Sequence, residues 1–177
     1  MPIDSRQWNI LIGKMKSYTY INYIESSRRE FDNLPETEWR KDYFDKSTGG
    51  YLVTSWDRIT QAEKSHQEYK KFEKEHATCL VYARDGHRIK HLPDKKGDRE
   101  GTYDTIFDDL KADLKRTKST NNIIKYASRA TKKQGAQIIL FEFEIWNNDF
   151  RNLIDELVRK DYHGRYFITG EDKTHQF

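Results

Sequence analysis

The chain has 177 residues, a formal net charge of +3, 34% charged residues and 14% aromatic residues. That length suits one domain, or one domain with a small appendage. Four Trp, eleven Tyr and nine Phe argue against a disordered polyelectrolyte and for a folded domain with a charged surface. The lone Cys79 excludes an intrachain disulfide, and its apolar neighbours in HATCLVYA predict a buried, unreactive thiol. No apolar run approaches the roughly 20 residues of a membrane span. The first residues lack the basic-then-apolar layout of a signal peptide. The expectation is therefore no membrane partner, and residence in the cytoplasm or delivery to that of a target cell.

In chain order, residues 8–34 have mixed helical and β-like character, and Gly49-Gly50 interrupts the pattern before the short β-like run YLVTS. Residues 1–56 are read as a mixed N-terminal appendage, or as part of the domain formed by 57–177. Ser55 or Asp57 then caps a helix over about 57–84, with Ile59, Ala62, His66, Tyr69, Phe72, His76 and Leu80 along one face. His66 and His76 are read there as packing residues. Gly86 ends the helix, HRIKHL alternates as a strand closed by Pro93, and DKKGDREG reads as a polar loop. YDTIF and LKADLK form a hairpin about Asp108-Asp109. A helix capped by Ser119 or Asn121 runs to about Lys133, with Ile123, Ile124, Ala127 and Ala130 inward. Gly135 terminates it. AQIILFEFE is the most apolar strand, and a helix over about 148–160 and the strand GRYFIT complete the order. The expected fold is α/β (α+β): a mixed sheet with flanking helices, core order α-β-β-β-α-β followed by α-β.

The hairpin register carries the chemistry. A two-residue turn at 108–109 sets 105 opposite 112 and Asp104 opposite Asp113. Lys111 and Lys115 share a face with Asp113, while Ala112 and Leu114 point the other way. Two opposed carboxylates repel unless something positive lies between them. With a lysine beside them they suit a divalent cation and phosphodiester hydrolysis, and oxygen ligands favour Mg²⁺ or Mn²⁺. The bland alternative is a solvated strand face on which Asp and Lys alternate.

Residues 111–133 hold eight bases and one acid, a local +7 in a chain whose total is +3. Such a block suits phosphate contact, and Lys111, Arg116, Lys118, Ser119, Asn122, Lys125, Arg129 and Lys133 are the candidate nucleic-acid contacts. A solvated helix face has the same composition. Glu142 and Glu144 alternate with Phe141 and Phe143, so Glu142 is either a further cation ligand or the partner of a basic neighbour.

The layout resembles the PD-(D/E)xK nucleases, with Asp104 on the second core strand and Asp113-Leu114-Lys115 on the third. Tyr103 stands where that family often has Pro. The resemblance implies a further acid from the first core helix, Glu75 or Glu73, so that Asp104, Asp113 and Glu75 would be the metal ligands. The stretch from Glu75 to about Glu144 also resembles the C-terminal nuclease domains of contact-dependent growth inhibition toxins, and related phage and mobile-element domains. The shared outline is a helical Glu, a strand ending in Leu-Pro-acid, Asp, acid-x-Lys, a capped helix with Gln134 near its end, and an apolar strand.

These resemblances imply a nuclease with Asp104, Asp113, Lys115, Glu75 and Gln134 as catalytic residues. They imply RNA rather than DNA as substrate, tRNA-like in the toxin case, and an immunity or delivery protein as partner. Two alternatives stand beside this reading. One is a metal-independent RNase, for which His87 or His91 would titrate usefully and Lys115, Thr117, Ser119 or Asn122 would contact phosphate. The other is a non-catalytic module that binds nucleic acid or protein on the same fold.

Overall fold

The computed structural model describes residues 5–94 and 102–177, with side chains described from residue 17 onward. The expected polar loop, apart from Asp94, lies outside the described residues. The described elements are α1 (Ser5–Asn33), β1 (Trp39–Phe44), β2 (Tyr51–Ser55), α2 (Trp56–Ala62), α3 (His66–Arg84), β3 (Arg88–His91), β4 (Thr105–Phe107), β5 (Leu110–Thr117), α4 (Ile123–Lys132), β6 (Ile138–Phe143), α5 (Asn148–Arg159), β7 (Gly164–Ile168) and β8 (His175–Gln176).

The strands form one mixed sheet in sequence order from β1 to β8. The two hairpin links, β3–β4 and β4–β5, are antiparallel. The helical crossovers through α4 and α5 give parallel pairs, β5–β6 and β6–β7, because the chain must return to the starting end of the sheet. The segment read as an appendage supplies β1 and β2, and β2 continues the same sheet by pairing parallel to β3. The short β8, which pairs with β7, carries no period-2 pattern of its own.

Side-chain alternation divides the core between the two faces. Leu52, Ile89, Ala112, Leu114 and Leu140 pack with Cys79, Tyr82 and Ala83 of α3. Ile139, Phe141 and Phe143 pack with Ile123, Ala127 and Ala130 of α4 and with Phe150, Ile154 and Leu157 of α5. The Cys79 thiol is fully buried, and burial pushes its pKa up, which keeps it protonated and inert.

Three local expectations are corrected. The helix read as continuous over 57–84 is two helices, because Ser65 accepts a hydrogen bond from Glu68 N at 3.1 Å and starts α3 afresh, while Ser55 caps α2. His66, in the first turn of α3, is therefore exposed, whereas His76 is half-buried with Nε2 3.3 Å from Asp42. The cap of α4 is Asn122, without a side-chain cap bond, because the Ser119 hydroxyl accepts from Asn121 N inside the preceding loop.

Gly50 marks where β2 approaches the end of α3: a Cβ there would lie 2.0 Å from the Ala83 carbonyl oxygen. Backbone on both sides of this contact cannot move aside cheaply. Gly50→Ala is expected to lower stability by about 1–3 kcal/mol, read as the shift of a urea unfolding midpoint. An unchanged midpoint would show that the two elements separate without cost.

Candidate functional site

The site begins with turn chemistry. Asp108 and Asp109 both have positive φ, 46° and 70°, which is the two-residue I′ geometry that aspartate tolerates. The turn is pinned: Arg88 N donates to Asp108 Oδ1 at 2.8 Å, His87 Nδ1 lies 2.7 Å from Asp108 Oδ2, and Arg88 Nη2 lies 2.7 Å from Asp109. The resulting register pairs Phe107 with Leu110, Ile106 with Lys111 and Thr105 with Ala112, as the turn predicts.

Regular pairing stops at Thr105. Asp104 N still donates to the Ala112 carbonyl at 3.1 Å, and the Asp104 carboxylate accepts from Leu114 N at 3.2 Å. A side-chain oxygen thus takes the place of a strand carbonyl, which draws the Asp104 carboxylate down beside β5 next to Asp113. Asp113 is fully buried, with Lys115 Nζ against its Oδ2 as an ion pair, yet neither carboxylate oxygen of Asp113 accepts a well-formed hydrogen bond. Burial raises the Asp104 pKa well above the usual carboxylate range; the Asp113 charge and hydrogen bonding between the two carboxyls add to this, and Lys115 opposes it. Two acids so placed share a proton, or a cation.

Gln134 follows the end of α4. Its carbonyl accepts from Thr102 N at 2.9 Å, and its Oε1 is buried with no partner. Tyr103 lies under Lys111, whose Nζ is 5.5 Å from the ring centroid. Asp104, Asp113 and Lys115 therefore gather around the start of β4, with Gln134 bonded through its backbone to Thr102, two residues before Asp104.

Glu75, read as a third metal ligand, has its contacts with Arg58, His91 and Lys71, while its charge adds to the rise of the Asp104 pKa. It projects from α3, which packs on the Ala112–Leu114 face, whereas Asp113 points to the opposite face. Its Oε2 accepts from Arg58 Nη2 at 2.8 Å and lies 3.3 Å from His91 Nε2, and Lys71 Nζ is 3.6 Å from Oε1. Burial would raise the Glu75 pKa, but the bonds from His91 and Arg58 outweigh it and hold the carboxyl at about 2. Burial lowers the His91 pKa, so at neutral pH Arg58 and Lys71 carry the positive side of this cluster. The alternative acid, Glu73, is exposed on α3. Among the described residues no group of three or more His, Cys, Asp or Glu side chains is placed to hold a metal ion. The oxygen donors held together are those of Asp104 and Asp113, which suit Mg²⁺ or Mn²⁺ by their chemistry, and Gln134 Oε1 is a further buried oxygen without a partner.

Glu142 is no part of this group either. It is buried on the α3 face, where it accepts from the Thr78 and Thr169 hydroxyls at 2.5 and 2.8 Å, with Arg116 Nη2 at 3.6 Å. Arg116 Nε also lies 3.2 Å from Glu144, so this candidate phosphate contact is engaged by two acids. Lys118, Asn122, Lys125, Arg129 and Lys133 are exposed, and Ser119 and Lys111 are half-buried. Neither histidine faces the aspartates as a free acid–base group: His91 is fully buried, and His87 is held at the turn by Asp108 and Phe107. Arg58, fully buried on α2 with Nε and Nη1 unpaired, escaped the sequence reading, because a lone Arg in a short polar helix carries no burial signal.

No protein-family model and no curated protein matches the chain. Its fold is similar to a chain of the CdiA-CT/CdiI toxin and immunity complex from Burkholderia pseudomallei, with a TM-score of 0.50 at 11% identity, over 64% of this chain and 89% of that one. At that identity the likeness is one of fold alone. Among the described residues, no helix is long and apolar enough to cross a membrane.

Proposed function

We propose that the chain is a nuclease that hydrolyses phosphodiester bonds, with RNA as substrate and a tRNA-like molecule the first to test. The observation that carries this reading is the Asp104–Asp113 pair, two carboxylates held together at a buried strand end with Lys115 against one of them. Asp104 and Asp113, with Gln134 Oε1 as the further oxygen donor of the proposal, would hold Mg²⁺ or Mn²⁺, which would neutralise charge on the scissile phosphate and lower the pKa of a bound water. Lys115 is placed to exchange its partner, turning from Asp113 toward the negative charge that develops on phosphate oxygen. The leucine between them, Leu114, is anchored in the α3 core, so its backbone keeps Asp113 and Lys115 at fixed spacing. Lys111, Lys118, Ser119, Asn122, Lys125, Arg129 and Lys133 would guide the phosphate backbone, and Arg116 would do so on leaving Glu144. Glu75, whose charge acts on Asp104, is the supporting acid of this reading. An immunity or delivery protein as partner, and action in the cytoplasm of a target cell, belong to the same proposal and draw support from the fold shared with a chain of a toxin and immunity complex.

A second reading is favoured by one observation: Asp113 is fully buried and its charge is met by Lys115, as in an inert structural ion pair. On that reading the chain binds nucleic acid or protein without cleaving it. Incubation of the purified chain with tRNA, ribosomal RNA and DNA, in Mg²⁺ and in EDTA, separates the two. Cleavage that is lost in EDTA and falls at least about 100-fold in Asp113→Ala is the expected result. Cleavage that survives EDTA transfers the chemistry to a metal-independent RNase. Intact substrates in every condition would sink the enzyme.

A further inference from the structure

Outside the 111–133 block, α3 carries a second set of cations. A groove of about 510 Å³ is lined by His66, Gln67, Lys70, Lys71 and Lys74. His66, Lys70 and Lys74 recur every fourth residue, which places them on one helix face. Lys71 is neutralised by Glu75 and Asp94. Lys70 and Lys74 have no acid within ion-pair distance among the described residues, although like charges four apart on a helix repel.

The groove is tied to the Asp104 end of the sheet. Lys71 pairs with Asp94, which is clamped by Gln61 through bonds of 2.6 and 2.8 Å, and two residues earlier Leu92 N donates to the Asp104 carbonyl at 2.9 Å. The five lining residues are polar or charged, but most of the surface they expose is the apolar part of their side chains, with no aromatic or branched aliphatic residue to anchor a protein partner. Two unpaired ammonium groups about 6 Å apart along the axis match a repeating anion better than a single one.

We propose that the Lys70–Lys74 face of α3 is a phosphate track that holds the backbone of the RNA strand beside Asp104, a contact additional to the 111–133 block. The inference rests on the nuclease reading for its choice of RNA, but it concerns binding and is tested without turnover. Fluorescence anisotropy of a labelled tRNA, titrated with the Asp113→Ala chain and with the native chain in EDTA, reads the affinity as salt is varied. The expected result for Lys70→Glu/Lys74→Glu is binding about tenfold or more weaker, with the slope of log affinity against log salt reduced by about 1.4, as two lost single-strand phosphate contacts require. Lys70→Arg/Lys74→Arg restores both. Unchanged affinity and slope in the glutamate variant would overturn the track, as would no tRNA binding by the native chain. Polyglutamate binding as tightly as tRNA would overturn it too, reassigning the groove to acidic protein. RNA held in this way but never cleaved would defeat the nuclease reading and leave the track standing.

Discussion

Glu75→Ala lowers the stability of the chain by about 3–5 kcal/mol at neutral pH. The cause is what the substitution leaves behind. Arg58 is fully buried, stands 5.3 Å from the Phe72 ring centroid and, among the described residues, has Glu75 as its one carboxylate within ion-pair range. Without that carboxylate a guanidinium stays in the core with no counter-charge, its Nε and Nη1 already unpaired. Arg58→Met/Glu75→Leu removes both charges and is expected to recover most of the loss. The pH dependence has a definite sign. A carboxyl held at about 2 when folded, against an ordinary 4.5, stabilises the native state above pH 4.5 and loses that contribution as the pH falls toward 2. The shift corresponds to about 3 kcal/mol, so in urea titrations between pH 7 and 2 the difference between native chain and Glu75→Ala narrows as the pH drops. A constant difference would show that packing, not charge, sets the cost.

Asp104→Asn acts in the opposite direction. The Asp104 pKa is raised, first by burial and then by Asp113, so the folded chain keeps a proton that the unfolded chain releases above the ordinary carboxylate value. Stability therefore falls as the pH rises through the window between the two values, by about 1.4 kcal/mol for each unit of elevation. Asparagine mimics the protonated acid and cannot ionise. The variant is expected to melt higher than the native chain at pH 7–8 and to lose that advantage below pH 4. On the proposed cation reading a divalent ion would relieve the same repulsion: Mn²⁺ at 100 times its dissociation constant would stabilise the native chain by about 2.7 kcal/mol and the Asp104→Asn chain far less. Calorimetric melting with and without Mn²⁺ measures both effects. An Asp104→Asn chain that is less stable at neutral pH would mean the two carboxylates are not in conflict.

Two residues at the turn show why the hairpin was legible. Asp108 and Asp109 are among the few residue types that take positive φ on consecutive positions, and a two-residue turn admits a single register. From it follow the Thr105–Ala112 pair, the closeness of Asp104 to Asp113, and Lys115 on the face of Asp113. Helix ends were legible where a side chain caps them, as at Ser55, and misread where the cap is interior to an apparent run, as at Ser65. The face Ile59, Ala62, His66, Tyr69 and Phe72 keeps steps of three and four across the break between α2 and α3, which is therefore invisible to periodicity alone.

The sequence by itself determined the order of the core elements, the hairpin register and the pairing of two aspartates with a lysine, because turn chemistry and period-2 alternation act over a few residues. Only the tertiary structure decided that Glu75 pairs with Arg58 and His91, that Asp113 is sealed from solvent, and that β1 and β2 extend the same sheet. Those outcomes depend on which face each helix covers and on contacts between residues far apart in the chain, and no local pattern carries that information.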